Sequence, residues 1–269
     1  MNVAKPKLAT EFKDVTMPTR SHRRGFVYNI AAVGLLATAN RASAVPRGQI
    51  KAVAFDALAV FDVRPVFTLA EEFYPGRAIE LANLWRTRQF EYAWLRTLSK
   101  RYSDFWSVTD DALVFAANTL KLELTNEKRT RLVESYLALK CWPDALAVLH
   151  TLKNAGIRLA VLSNFTLRML ESCVRSGGLE SVFDHLLSTD RVQAYKPDPR
   201  AYQMGMDAFQ MKRSEIAFAA FGGWDAAGAK SFGYPTFWNN RSSQPVEELG
   251  VRPDAAGATL DELMALVRG

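Results

Sequence analysis

The sequence contains little histidine and little cysteine. Its 269 residues include three histidines, His22, His150 and His185, and two cysteines, Cys141 and Cys173. A histidine-based triad or a zinc site therefore has few residues from which to be built, and two isolated cysteines lack the spacing of a metal-binding motif. His150 lies in a helical pattern and is typical of a surface or packed residue. We predict two buried free thiols rather than a disulfide, and neither a metal nor a cofactor.

The chain also lacks a long apolar run and a basic surface spread along its length. The weakly apolar stretch from Val27 to Ala39 contains Asn29 and is shorter than the roughly 20 residues that cross a bilayer. Of the formal net charge of +6, residues 1–44 carry most, because seven Lys or Arg stand there against two acids. The remainder is nearly neutral, which argues against nucleic acid as a partner.

That basic N-terminal segment has the features of an export signal. In "SHRRGFVYNIAAVGLLATANRASA" a twin arginine, Arg23 and Arg24, precedes Phe26, the apolar run and a small-residue cleavage pattern at residues 42–44. We therefore predict a twin-arginine signal peptide at residues 1–44 and a periplasmic location, with no membrane attachment after its removal. A disordered basic extension is the alternative.

Apolar runs and helical patterns alternate through most of the chain and predict an α/β fold. "IKAVAFDA" reads as a buried strand, and from Pro143 onward the strands "RLAVLSN", "FDHLLST", "IAFAAFG" and "PTFWNN" alternate with amphipathic helices. Such repetition favours a doubly wound parallel sheet. Residues 65–142 show helical spacing without a convincing strand. The predicted organisation is an α/β core at residues 48–64 and 143–269, with an all-α cap at residues 65–142.

Polar residues stand at the ends of several predicted strands. Asp56 ends the first strand, Ser163 and Asn164 end "RLAVLSN", Lys196 lies in "AYKPDPRAY", and Asp225 lies in "GGWDAAGAK". Ligands of doubly wound sheets bind at the carboxyl ends of the strands. Each residue alone is also typical of a helix cap or a turn, but their order and spacing together indicate one catalytic crevice.

The sequence resembles the haloacid dehalogenase superfamily, and within it the type II (S)-2-haloacid dehalogenases. The likeness extends from about Lys51 to Leu263 and is carried by "LWRTRQFEYAWLR", "RYSDFW", "VLSN", "YKPDPRAY" and "WDAAGAKSFGYPTFWNNR". It implies a Rossmann-like core with a helical cap. It also implies hydrolytic dehalogenation of short (S)-2-haloalkanoic acids to 2-hydroxy acids through an aspartyl ester. A small 2-haloacid would be the substrate, and a homodimer is possible.

The resemblance assigns the reacting groups. Asp56 matches the nucleophile that attacks the halogen-bearing carbon, and Arg86 matches the arginine that receives the departing halide. Lys196 matches the lysine that keeps the nucleophile ionised and oriented. Asp225 matches the acid that holds this lysine and helps to position the hydrolytic water.

The substrate-binding residues follow from the same resemblance. Ser163 and Asn164 match the site of the substrate carboxylate, and Tyr202 matches a phenol that supports the lysine. The predicted walls of the apolar pocket are Phe90, Phe105 and Trp224. The alternatives for these positions are a solvated helix residue for Arg86, a simple turn for Ser163 and Asn164, and a core residue for Trp224.

Two loops depart from the family pattern. The pattern near the nucleophile is close to "FDxYGTLFD", whereas this chain has "FDALAVFD", which is one residue shorter and lacks the Gly-Thr pair. Further along, "SSNAWD" is replaced by "AFGGWD", so that Ala220 and Gly222 stand in place of a serine and an asparagine. We expect weaker support of the nucleophile and its water.

These departures leave competing functions open. A divergent member with little or no dehalogenase activity would retain the fold and bind a small carboxylate. A magnesium-dependent phosphatase of the same superfamily normally needs a second Asp two residues after the nucleophile, and Leu58 occupies that position here.

Overall fold

A parallel sheet forms the centre of residues 50–269, the part of the chain that the computed structural model describes. In chain order the strands are β1 (Ala52–Phe55), β2 (Phe61–Asp62), β3 (Lys140–Cys141), β4 (Arg158–Ser163), β5 (His185–Ser188), β6 (Ile216–Ala220), β7 (Thr236–Asn239) and β8 (Ala255–Gly257). Six of them form one sheet in the order β5-β4-β1-β6-β7-β8, and all its neighbouring strands are parallel. The predicted doubly wound fold is confirmed.

The central strand explains why the sheet forms from these residues. All four residues of β1 are fully buried. Val53 and Phe55 pack into the apolar cluster on one face, and Ala52 and Ala54 pack into the cluster on the other. A continuous apolar run is the pattern of a parallel strand covered by helices on both faces. Burial on two sides therefore places β1, and the residue that follows it, at the middle of the molecule.

Helices cover the sheet and form a separate layer over its carboxyl edge. They are α1 (Ala57–Val60), α2 (Arg64–Phe73), α3 (Ala78–Leu98), α4 (Phe105–Thr119), α5 (Asn126–Glu134), α6 (Ala145–Asn154), α7 (Leu167–Gly177), α8 (Pro199–Phe209), α9 (Gly223–Phe232) and α10 (Leu263–Arg268). Helices α3 to α5 lie within the predicted cap at residues 65–142, and α2 begins one residue before it, at Arg64.

The cap is held together by a buried polar contact as well as by apolar packing. The indole of Trp85 on α3 donates to the carbonyl of Thr109 on α4 at 2.8 Å, and the Gln89 amide donates to the Thr109 hydroxyl at 3.0 Å. Asp104 caps α4 by accepting from the Ser107 N–H at 2.7 Å. The first two bonds fix the orientation of α3 against α4.

Three details differ from the sequence prediction. Residues 65–142 are not entirely helical, because β3 at their C-terminal end pairs antiparallel with β2. The prediction missed this ribbon because two residues are too few to show an alternating pattern. It also missed β8 and α10. Both cysteines are free, as predicted, but only Cys173 is buried and Cys141 is half-buried.

The predicted signal peptide at residues 1–44 lies outside the described residues. In the part of the chain that is described, none of the helices has the length and apolar character needed to span a bilayer. His150 is exposed on α6, in line with a surface residue.

Candidate active site

Four of the predicted site residues meet at the carboxyl edge of the sheet. Asp56 follows β1, Ser163 ends β4, Lys196 lies in the loop after β5, and Asp225 lies in the first turn of α9, which follows β6. Strands β4, β1 and β6 are parallel neighbours, so their carboxyl ends meet at one edge. The sheet therefore gathers side chains that are more than a hundred residues apart in sequence.

A buried ammonium group joins the two carboxylates. Lys196 Nζ donates to Asp56 Oδ1 at 2.7 Å and to Asp225 Oδ2 at 2.6 Å. The Tyr202 hydroxyl donates to the other oxygen of Asp225 at 2.7 Å. The side chains of Lys196 and Asp225 are 1% and 2% exposed, whereas that of Asp56 is 15% exposed. Of the three charged groups, Asp56 is the most exposed to the cleft.

Burial and neighbouring charges shift the pKa values of Lys196, Asp225 and Tyr202. Burial alone would lower the pKa of Lys196, but the two carboxylates outweigh it and raise that pKa. Burial raises the pKa of Asp225 to about 6, against the charge of Lys196 and with a contribution from Asp56. Burial and the adjacent Asp225 raise the pKa of Tyr202. The lysine is thus held as a cation and the tyrosine as a neutral donor.

Asp56 has a hydrogen-bond donor on each carboxylate oxygen. Lys196 holds Oδ1, and the backbone N–H of Leu58 donates to Oδ2 at 3.1 Å, because Asp56 is the N-cap of the one-turn helix α1. Its backbone N–H donates to the carbonyl of Ala219 on β6 at 2.9 Å. A carboxylate fixed at both oxygens and at its backbone can meet an electrophile with little reorientation.

Ser163 and Asn164 are both buried and line the cleft. The Asn164 side-chain oxygen accepts from the backbone N–H of Lys196 at 3.0 Å, so Asn164 also orients the lysine loop. The Ser163 hydroxyl oxygen accepts from the Phe165 N–H at 3.2 Å. This bond leaves the hydroxyl hydrogen as a donor for an anionic ligand.

Arg86 lies on α3, across the cleft from the sheet, and lines the cleft. It is exposed, and no carboxylate within residues 50–269 forms an ion pair with it. Its charge acts on the Tyr136 phenol, whose pKa burial raises to about 12 while Gln89 and Arg86 oppose the rise. An arginine without a carboxylate partner at a cleft wall can receive an anion.

Aromatic rings from the cap and the core close the cleft. Phe90 lies 5.0 Å and Trp94 lies 5.5 Å from the ring of Trp224, measured between ring centroids. Phe105 stacks on Phe165 at 5.7 Å and is 3% exposed. The rings bring all three predicted wall residues to one cleft, which encloses about 980 Å³.

The space left by Gly222 is filled by the neighbouring tryptophan. A Cβ atom at Gly222 would lie 2.9 Å from the indole nitrogen of Trp224. The expected amide at this position is thus replaced by an indole face. Ala220 is fully buried at the end of β6 and packs with the apolar cluster on that face of the sheet.

The sequence prediction missed several residues that contact the site. The Trp94 indole donates to the carbonyl of Lys196 at 3.2 Å, and the Trp142 indole donates to the carbonyl of Leu58 at 2.9 Å. Arg241 follows β7 and lines the cleft. The position of Arg241 just after a strand was a usable signal, whereas helical spacing gave no reason to single out Trp94.

Known proteins share both the sequence and the fold. Residues 50–233 match the family model of the haloacid dehalogenase-like hydrolases. The (S)-2-haloacid dehalogenase of Pseudomonas sp. (strain YL) is 43% identical over 206 residues, which cover 76% of this chain and 89% of that protein.

Solved structures give the same result. A crystal structure of an L-2-haloacid dehalogenase superposes with a TM-score of 0.80 at 41% identity, covering 82% of this chain and 99% of that one. The enzyme of Xanthobacter autotrophicus with chloropropionic acid covalently bound superposes with a TM-score of 0.76 at 34% identity, covering 82% and 99%. The chain therefore belongs to the haloacid dehalogenase-like hydrolases, in the group of the (S)-2-haloacid dehalogenases.

Proposed function

We propose that this protein hydrolyses the carbon–halogen bond of short (S)-2-haloalkanoic acids and releases 2-hydroxy acids. The observation that carries the proposal is the arrangement of charges around the cleft. Lys196 holds Asp56 at the cleft surface, and Arg86 lines the same cleft from the cap without a carboxylate partner among the described residues. A nucleophile and an anion site in one cleft suit the displacement of a halide from a carbon atom between them.

In the first step, a carboxylate oxygen of Asp56 attacks C2 of the substrate. The carbon–halogen bond breaks, the halide leaves with the bonding electrons toward Arg86, and C2 is inverted. Ser163 and Asn164 hold the substrate carboxylate. The step leaves an ester between Asp56 and C2, and the covalent chloropropionic acid complex of the Xanthobacter relative supports this route.

In the second step, water adds to the side-chain carbonyl carbon of Asp56. The bond between that carbon and the ester oxygen breaks, which releases the 2-hydroxy acid and returns Asp56 as a carboxylate with one oxygen from water. One proton of the attacking water ends on the departing alkoxide and forms the product hydroxyl. The other passes to bulk solvent by way of Asp225, which Lys196 and Tyr202 hold in place.

Turnover of 2-chloropropionate in H₂¹⁸O tests this route. We expect ¹⁸O in the carboxylate of Asp56, because water attacks the enzyme side of the ester. One tryptic peptide contains both Asp56 and Asp62, so fragment-ion masses must assign the label to Asp56. Halide release with label only in the product hydroxyl would contradict the ester route.

The shortened loop favours one second candidate, a protein that binds a small carboxylate with little turnover. The loop after Asp56 is one residue shorter than the family pattern and lacks its Gly-Thr pair, and Trp224 covers Gly222. Halide release from 2-chloropropionate by purified protein separates the two functions. Binding of lactate without any halide release would favour the second.

We also propose that residues 1–44 direct twin-arginine export to a bacterial periplasm. The support is the Arg23-Arg24 pair followed by a short apolar run and a small-residue cleavage pattern. A reporter that is active only after export, fused to these residues, should reach the periplasm. The double substitution Arg23→Lys and Arg24→Lys should block it, and export of that variant at the full level would contradict the proposal.

A homodimer is the proposed assembly. Two apolar residues at the end of α3, Leu95 and Leu98, are 59% and 80% exposed, and their spacing of three residues places them on the same side of the helix, where a partner subunit could cover them. Light scattering of the purified protein tests this. A monomer at all concentrations would contradict it.

A further inference from the structure

The short loop after Asp56 is supported from outside by a set of contacts that we call the Trp142 clamp, made of Trp142, Arg241 and Asp144. Helix α1 is only four residues long, so its last carbonyls have no partner within the helix. Trp142 supplies two partners: its indole N–H donates to the Leu58 carbonyl at 2.9 Å, and its backbone N–H donates to the Val60 carbonyl at 3.0 Å.

The indole of Trp142 is itself held in one orientation. The Arg241 guanidinium lies 4.3 Å from the indole ring centroid, and the ring of Phe221 stacks on the indole at 6.5 Å. Arg241 is fixed by two hydrogen bonds to Asp144, at 3.0 and 2.9 Å. Asp144 also accepts from the Leu260 N–H at 2.7 Å. A planar guanidinium bound at both ends has little freedom to release the ring beneath it.

This clamp reaches the nucleophile through a single residue. Leu58 accepts from Trp142 with its carbonyl, and it donates its N–H to Oδ2 of Asp56 at 3.1 Å. Holding Leu58 therefore fixes one of the two donors on the carboxylate, and Lys196 provides the other. Small displacements of a reacting group lower rates steeply. The bond from Trp142 to Leu58 is therefore expected to affect the reaction, because Leu58 bonds directly to the carboxylate of Asp56.

We propose that Trp142, oriented by Arg241 and Asp144, is a positioning residue for Asp56 and takes over the support that a Gly-Thr loop would provide. The inference rests on the proposed function, since it concerns the same nucleophile. It accounts for a shortened loop that still presents Asp56 with both oxygens hydrogen-bonded. Trp142 lies where the chain returns from the cap to the core, directly after β3.

Trp142→Phe tests the proposal because it removes the indole N–H and keeps an aromatic ring under Arg241. We expect kcat for 2-chloropropionate to fall about tenfold while KM stays within about twofold. The Leu58 amide should exchange with solvent deuterium several times faster, as followed by NMR. The matched control is Trp106→Phe, because Trp106 is half-buried beneath Arg168, away from the cleft lining. Its kcat and Leu58 exchange should equal those of the wild type.

The outcomes separate the inference from the proposed function. Unchanged kcat and unchanged Leu58 exchange in Trp142→Phe would overturn the inference. If that variant does not fold, Arg241→Lys replaces it, since it keeps a charge for Asp144 but loses the planar stack. The same changes in kcat and exchange are expected there, and their absence overturns the inference. If the wild type releases no halide, the proposed function fails, and Leu58 exchange alone then decides whether the clamp exists.

Discussion

Lys196 is a buried cation that serves two carboxylates at once. Taking three charges out of water costs free energy, and the cluster recovers it only while each group keeps its partner. The buried cluster of Lys196, Asp56 and Asp225 carries one net negative charge. That excess, together with burial, explains why the pKa of Asp225 rises although a lysine lies 2.6 Å away. Because this pKa is about 6, the charge of Asp225 changes close to neutral pH, and the reaction rate is expected to change with it.

The rate of halide release is expected to fall as the pH drops through about 6. Asp225 must be ionised to hold Lys196 and to take up a proton from water, and its raised pKa brings protonation to a higher pH than for an ordinary carboxyl. A pH–rate profile for kcat measures this limb. As a control, Asp56→Asn should lower the pKa of Asp225 in NMR titrations, because a nearby negative charge is removed. A wild-type rate that stays level down to about pH 4.5 contradicts the assignment.

Arg86→Ala should lower kcat about a hundredfold or more while leaving the melting temperature nearly unchanged. The guanidinium stabilises charge that develops as the halide leaves, and an exposed side chain without an ion pair in the described chain adds little to folding. Steady-state kinetics and thermal unfolding measure the two effects.

The matched control for this prediction is Arg88→Ala. Arg88 lies on the same helix, pairs with Glu91 at 2.7 Å and does not line the cleft, so its loss should leave kcat close to the wild-type value. A large drop in the melting temperature of Arg86→Ala would identify a structural arginine instead.

At the scale of elements, a tryptophan packs against each of the two loops that depart from the family pattern. The loop after β1 is covered by Trp142, and the turn before α9 is covered by Trp224. The expectation of weaker support considered each loop alone. In the folded chain Trp142 donates an indole N–H to the first loop, and the Trp224 indole occupies the space beside Gly222 at the second.

Adding a side chain by Gly222→Ala should therefore destabilise the protein rather than improve the support of the active site. The added Cβ would lie 2.9 Å from the Trp224 indole, which has little room to move between Phe90 and Trp94. We expect a loss of about 1–3 kcal/mol in the free energy of unfolding, measured with urea. In a Trp224→Phe background, where the ring is smaller, the same change should cost less than half as much. An equal cost in both backgrounds would place the clash elsewhere.

At the scale of the whole molecule, the cap and the core are joined on the side of the cleft where α3 ends. The Tyr102 hydroxyl, between α3 and α4, donates to the Asp190 carboxylate after β5, and the Tyr195 hydroxyl donates to the Ser103 carbonyl. The Tyr195 N–H donates to the Thr97 hydroxyl at 3.1 Å. The loop that leads into Lys196 is thus attached to the cap, so that the cap contributes to the geometry of the lysine.

Tyr102→Phe should lower the free energy of unfolding by about 1–3 kcal/mol at neutral pH, because it leaves Asp190 half-buried without its phenol donor. Burial raises the pKa of Asp190, while the bonds from Tyr102 and Ser188 oppose the rise. Protonation of Asp190 therefore adds stability below the ordinary carboxyl pKa, and this is lost as the pH rises through the folded-state pKa.

Without the phenol that pKa rises further, so the destabilisation by Tyr102→Phe should shrink toward acid pH. Urea unfolding at several pH values measures it. Tyr92→Phe, on a half-buried tyrosine that packs on Phe115, is the matched control and should show no such pH dependence. A loss of stability that is the same at every pH would contradict the role of Asp190.

Local sequence was sufficient to predict the α/β core and the polar residues that end two of its strands. The apolar run of β1 ends at Asp56, and the β4 run ends at Ser163, because buried parallel strands must be continuous and apolar while their ends meet water. Lys196 and Asp225 were found through motifs that resemble a known family. The ribbon of β2 and β3 was missed since its two-residue strands have no readable period.

The order of elements and the identity of the groups at the strand ends were determined by the sequence alone, because both follow from local periodicity and chain order. The support of the nucleophile was decided only by the tertiary structure. Trp142, Arg241 and Asp144 are separated by up to 99 residues, and they come together at the loop after Asp56 only once the segment after β7 and the start of α6 lie beside that loop. Hydrogen bonds between distant segments leave no pattern in either segment, because each depends on where folding places the other.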